Sequence, residues 1–405
     1  MHRTEGQNNV AGFFTGGPPA TVVTPEWLNA VQEELLAVIA AGGESPLTVQ
    51  TDTRTQLLQA IQKMIRQEPY DFVVYDQASF NALWTRTGAN AYEIKDDYRS
   101  VLIRIPEGGG GYACTGALSF LSGGDAYGVL STNNCTHLKM ENGTYFDVGD
   151  SLTYVNVNTE GAKLENVWIK GNGTTAVAVA HSFYISVYRV IMDGCSASNR
   201  NISASHSSFQ CQRSFILTKD TSQIFTDCRV FDTVSSTDFN AFYRCSNMTN
   251  CIVDDIQVGA DSYMFGNCNN LSCCQVGNII SLSSKVIGFY QCYNISSSVA
   301  HSILTGNNGI VGFLSCERLS SCNTDEIDNN SAANRAEGFS GCSQLSSCRA
   351  NDIDNAGAGG AHGFYDCEYV AACFTTEAVN GSNDWVDTVD ADVTNKVSTP
   401  SVWTP

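Results

Sequence analysis

A set of carboxylates and one imidazole recurs at a fixed distance behind a series of cysteines. Asp254, Asp255, Asn278, His301, Asp325, Glu326, Asp328, Asp352, Asp354 and Glu377 each follow a cysteine by nine to twelve residues. Two carboxylates can cleave a glycosidic bond, one protonating the leaving oxygen while the other attacks or activates water. The separation is about 5–5.5 Å for retention and about 6.5–9.5 Å for inversion. Glu326, as acid, and Asp352, as nucleophile or base, take equivalent places in successive copies of this spacing. His301 and Asp325 share another place, and with Tyr290 and Tyr365 they are the candidates for holding a glycan. Tyr293 and Tyr369 are further aromatic candidates. The competing reading is that carboxylates beside turns are simply solvated. No nucleophile triad, phosphate loop or metal-ligand spacing accompanies them, so neither metal nor cofactor is expected.

The cysteines belong to a repeat: Phe, two residues, Cys, two residues, an apolar residue, two residues, Cys, and Ile five later. Its clearest copies are Phe242-Cys245-Met248-Cys251-Ile256 and Phe265-Cys268-Leu271-Cys274-Ile279. Four more begin at Phe289, Phe313, Phe339 and Phe364, with Ser298 replacing one cysteine. The leading cysteines are 23, 24, 24, 26 and 25 residues apart. Each copy holds short β-preferring stretches between turns rich in Asn, Ser, Gly and Asp, and no run of helical periodicity. Such a unit predicts a right-handed parallel β-helix with coils of about 24 residues, neighbouring rungs lying about 4.8 Å apart.

Stacking gives the columns their chemistry. Phe and Ile pack on copies of themselves, and Cys serves as a small apolar side chain. Parallel neighbours hold their Cβ atoms farther apart than a disulfide prefers, so buried, unlinked thiols are expected. Glu326 and Asp352 would then lie one rung apart, on the outer side of the Ile column.

Upstream, Val101–Ile105, Leu152–Val157 and Leu164–Ile169 read as strands of less regular coils, while the Phe225–Cys228 copy begins only 17 residues before the next. A helix over Gln77–Arg86, with Phe80, Leu83 and Trp84 inward, would plug the open end of the coil. The expected organisation is a helical anchoring segment at 1–70, a capping helix and linker at 71–95, the β-helix body at 96–383, and a C-terminal cap at 384–405.

Composition narrows the functions. Charged residues make up 16% of the 405, apolar residues 43%, and the net charge is −19. Few charges and many apolar residues suit a long buried core. A strongly acidic chain is a poor partner for nucleic acid or anionic membranes. No apolar run is long enough for a membrane span. Met1–Asn9 leads into no apolar signal core, so synthesis in a cytosol is expected.

The opening residues carry a different pattern. Thr24 and Pro25 suit a helix start, and Leu28, Val31 and Leu35 form an apolar stripe ending at Gly42-Gly43. The stretch from Gly12 to Glu34, containing Ala20-Thr21-Val22-Val23 and Trp27-Leu28-Asn29-Ala30-Val31-Gln32-Glu33-Glu34, resembles the N-terminal segment of bacteriophage and prophage tail-fibre proteins. Thr55–Ile61 resembles that family's second helix, and the likeness covers about 60 residues. Asn166-Val167-Trp168-Ile169-Lys170-Gly171 resembles the asparagine-bearing coils of pectate-lyase-like β-helices.

The resemblance implies a homotrimeric tail fibre or tailspike fixed to the tail baseplate through Trp27, Leu28, Asn29, Val31 and Leu35. Its place would be the virion tail, after synthesis in the host cytoplasm, and its work adhesion to a host-surface glycan or protein. A polysaccharide depolymerase using Glu326 and Asp352, and a purely structural baseplate component, are the alternatives. An exported bacterial adhesin would call for a signal sequence.

Overall fold

The computed structural model describes residues 70–375 apart from 89–90, 115–128, 150–152, 177, 188, 212–222, 282–283, 307, 331–333 and 356–359. Beyond them it describes 9–10, 13–14, 31, 33–34, 37, 385–386 and 397–398. The chain divides into two compact units, residues 1–69 and 70–405. In the first, Asn9–Val10 pairs antiparallel with Phe13–Phe14, and Val31 is helical and half-buried. Trp27, Leu28, Asn29 and Leu35 lie outside the described residues.

The second unit is a parallel β-helix. Its described strands form sheets of twelve, fifteen and thirteen, called here sheets one, two and three. One coil runs through Ser246–Thr249 in sheet one, Ile252–Val258 in sheet two and Ser262–Gly266 in sheet three. It then re-enters sheet one at Asn269–Ser272, directly above its own start.

The three-residue spacing of Phe242, Cys245, Met248 and Cys251 conflicts with the two-residue alternation of a plain strand. Left-handed residues resolve it. Arg244 (φ 58°), Asn247 (φ 52°) and Asn250 (φ 54°) each precede an inward residue and reset the alternation. The next coil repeats the device at Asn267, Asn270 and Cys273. Asn adopts this conformation more readily than most residues, which accounts for much of the polar enrichment.

The inward columns close the core. Phe289 and Phe313 stack with centroids 4.5 Å apart, and Phe313 and Phe339 at 4.9 Å. The column continues down through Phe209 to Phe183, two coils below the regular repeat. All seventeen cysteines are free, and all but Cys273 are buried. Burial pushes the Cys135 thiol up to about 12 and also raises Cys228 and Cys268. These groups are protonated wall material. Cys273 is the exception to the expectation of burial, because it occupies a left-handed turn position and points out.

Three local expectations change. The capping helix is Gln77–Leu83, started by an Asp76–Ser79 capping box; Trp84 already begins an antiparallel strand. Its Phe80 stacks on Tyr112 and packs near Phe146 at the end of the core. The Leu164–Ile169 run breaks into two strands, Lys163–Glu165 and Trp168–Gly171, because Asn166 is left-handed. Phe225 pairs with Met248, so Phe225-Thr226-Asp227-Cys228 is the second half of a repeat copy, not the first. Cys228 accordingly stacks below Cys251.

Candidate functional site

The acidic stripe runs up the outer side of sheet two. In each coil this strand is interrupted by one left-handed residue: Asp232, Asp255, Asn278, Ser302, Glu326 and Asp352. The interruption turns two successive residues outward, so Asp325 and Glu326 both leave the core. Asp and Asn at these places follow from the backbone, since they tolerate the left-handed region. Glu326, at φ 51°, has no such explanation.

Glu326 and Asp352 lie one rung apart, fixed by the pairing of Ile327 with Ile353. His301 pairs directly with Asp325. The Ser302 hydroxyl donates to Glu326 Oε2 at 2.7 Å and lies 3.3 Å from His301 Nδ1. Gly277 leaves room for that imidazole, since a Cβ there would sit 2.7 Å from the ring. The perturbed carboxyl in the stripe is Asp328, raised by burial and then by the charges of Asp354 and Asp352. Asp328 and Asp354 are paired neighbours. A protonated acid beside ionised carboxylates has the character of a general acid, but sequence reasoning placed that role on Glu326.

Sheet three carries a second arrangement on its outer face. Two outward columns run side by side. One contains Tyr243, Gly266, Tyr290, Leu314, Ser340 and Tyr365. The other contains Tyr263, Ile287, Val311, Glu337 and His362. Tyr263 stacks on Tyr290 with centroids 4.4 Å apart, and burial followed by Tyr290 raises its hydroxyl pKa. Although they face away from the core, Val311 is only 2% exposed and Glu337 only 8%. They form the floor of a cavity of about 500 Å³, with Asp261, Lys285, Asn308, Asn334 and Arg335 around it.

The wall of this groove is the turn that joins sheets two and three. Three residues make the turn after Val258, four after Ser281 and Thr305, six after Asn329 and five after Asn355. These lengths reproduce the series of 23, 24, 24, 26 and 25 residues between leading cysteines. Every residue by which one coil exceeds another therefore enters at this turn. The inward residue before each turn pins it. Ser281 Oγ donates to the Ser284 carbonyl at 2.9 Å, and Thr305 Oγ1 to the Asn308 carbonyl at 2.6 Å. The fully buried Asn329 donates to the Asn334 carbonyl at 3.0 Å, and Asn355 to the Gly360 carbonyl at 2.8 Å. Above this base the Asn334 amide donates to Asn308 Oδ1 at 3.3 Å.

The longest turn delivers Arg335. Its guanidinium lies 4.5 Å from the Tyr365 ring centroid and forms an ion pair of 3.8 Å with Glu337. Across the cavity, the Lys285 backbone N–H donates to Asp261 Oδ1 at 3.0 Å.

The candidates from the sequence are thus distributed over three faces. Glu326, Asp352, His301 and Asp325 lie on sheet two, whereas Tyr290 and Tyr365 share a column on sheet three. Tyr293 and Tyr369 stand exposed on sheet one. Sequence reasoning missed Lys285, Arg335 and Glu337, although the coil-length series pointed to the turn that carries or flanks them. Among the described residues no group of three or more His, Cys, Asp or Glu side chains is placed to hold a metal ion. Nor is any described helix long and apolar enough to cross a membrane.

No protein-family model matches the sequence, and no curated protein matches it. Among solved structures, the chain is similar to the A-module of a mannuronan C-5 epimerase from Azotobacter vinelandii. The identity is 10% and the TM-score 0.29, over 80% of this chain and 94% of that one.

Proposed function

We propose that the β-helix binds a surface glycan along the outer face of sheet three, as the adhesive body of a bacteriophage tail fibre or tailspike. One observation carries the binding role: the tyrosine-lined groove beneath the only turn whose length varies through the regular coils. Aromatic faces suit the apolar faces of sugar rings, and ordered amides and carboxylates suit their hydroxyls. Variable loops on a rigid scaffold are where recognition is ordinarily found. Attachment to a tail baseplate as a homotrimer is supported by the resemblance of Gly12–Glu34 to tail-fibre N-termini. The chain would then act in the virion tail, after synthesis in the host cytoplasm.

Binding of the purified full chain to immobilised capsular polysaccharides and lipopolysaccharides tests the reading. Tyr365→Ala and Tyr290→Ala should weaken retention at least fivefold while thermal unfolding stays unchanged. Retention unaffected by both substitutions would remove sheet three as the binding face.

A depolymerase is the second reading, favoured by Asp328 beside Asp354. Release of oligosaccharide by the wild type and its loss on Asp328→Asn or Glu326→Gln would establish it on sheet two. Binding without release would leave adhesion as the function.

A further inference from the structure

We propose that the groove selects an acidic saccharide, with a sugar carboxylate seated between Arg335 and Lys285. This rests on the glycan-binding reading above and specifies the class of sugar.

Cations are scarce here: 22 Lys and Arg residues face 41 Asp and Glu in the whole chain. Two of the 22 nevertheless border one cavity. Arg335 is half exposed, at 47% of its side chain, and its plane is oriented by the Tyr365 ring. Its contact with Glu337, at 3.8 Å, is longer than a hydrogen bond, so it orients the guanidinium without occupying its fork. A planar fork held this way matches a carboxylate through two parallel N–H bonds. Among the described residues, the Lys285 ammonium has no carboxylate within ion-pairing distance.

Two carboxylates share the cavity, so summed charge alone does not select an anion. Placement does. Asp261 accepts the Lys285 backbone N–H, and Glu337 is nearly buried in the floor below Arg335. Both cations lie on the turn side, Arg335 at the end of the six-residue turn and Lys285 at the end of the four-residue turn two coils below. A sugar laid along the tyrosines would meet the cations with one edge, and its hydroxyls would meet Asp261 and Glu337. A dense polyanion is disfavoured by the net charge of −19, whereas a polymer with a carboxylate on only some residues is tolerated.

The test uses the full chain and matched polysaccharides: uronate-bearing capsular polymers, polysialic acid, and the same preparations after chemical reduction of their carboxyls to alcohols. At least one acidic polymer should bind ten times more tightly than its reduced form, and its binding should weaken with added salt. Arg335→Gln should erase that preference without changing affinity for the reduced form, and Lys285→Gln should diminish it. Thermal unfolding of both variants should match the wild type. Equal binding of acidic and reduced forms would overturn the acidic specificity and leave glycan binding intact. Failure of every acidic, reduced and neutral polymer to bind would overturn both.

Discussion

Phe289 lies over Phe313 with ring centroids 4.5 Å apart and planes within 3° of parallel. Phe313 in turn stacks beneath Phe339, so each ring is neighboured on both sides within a fully buried column. Phe313→Ala should therefore destabilise the coil by about 3–5 kcal/mol, the cost of a lost aromatic plus the cavity left behind. Chemical denaturation of wild type and variant measures it. A loss under about 1 kcal/mol would mean that the column is not the main packing element.

Thiol reactivity gives a simple count. With Cys273 exposed and the other cysteines buried, a thiol reagent should modify one cysteine per native chain and seventeen after denaturation in reducing-agent-free buffer. Fewer than seventeen in the denatured chain would reveal disulfides. Several reactive thiols in the native chain would contradict the closed core.

Glu326 offers a contest between strain and function. A non-glycine residue in the left-handed region costs about 1–2 kcal/mol, less for Asn. Glu326→Asn should stabilise the protein by about 0.5 kcal/mol, after loss of the Ser302 hydrogen bond is set against relief of the backbone. Thermal and denaturant unfolding give the sign. Marked destabilisation would show that the Ser302 contact outweighs the strain.

Glu165 sets an acid limit. Burial alone would raise its pKa, but hydrogen bonds from Lys163, Lys139 and His137 bring it down to about 2. A carboxyl whose folded pKa is depressed contributes stability above its unfolded value, near 4.5, and loses that contribution as pH falls towards 2. Glu165→Gln should thus lower the unfolding temperature at pH 7 and converge with wild type near pH 2. A constant difference across that range would show that the carboxylate charge is not responsible.

Much of the body was legible in the sequence because stacking forces equivalent positions to use similar residues. Phe242 through Phe364, and the cysteines between them, announced both the coil and its length. The coils around Phe183 and Phe209 were harder to read because long segments separate their columns, and Phe225 imitates the start of a copy while filling a Met or Leu place. The carboxylate stripe was located correctly as an outward feature, yet its αL backbone was invisible to pattern reasoning. That backbone gives Asp255 and Asp352 a structural reason to be acidic. The groove was missed for another reason: Tyr290, Lys285, Arg335 and Glu337 are dispersed in sequence and meet only when coils are superposed.

The pinned turn between sheets two and three separates two kinds of inheritance. Insertions there alter the reach and chemistry of the rim while the Phe, Cys and Ile ladders beneath retain their register. Descendants of such a chain can exchange what they recognise without renegotiating how they fold.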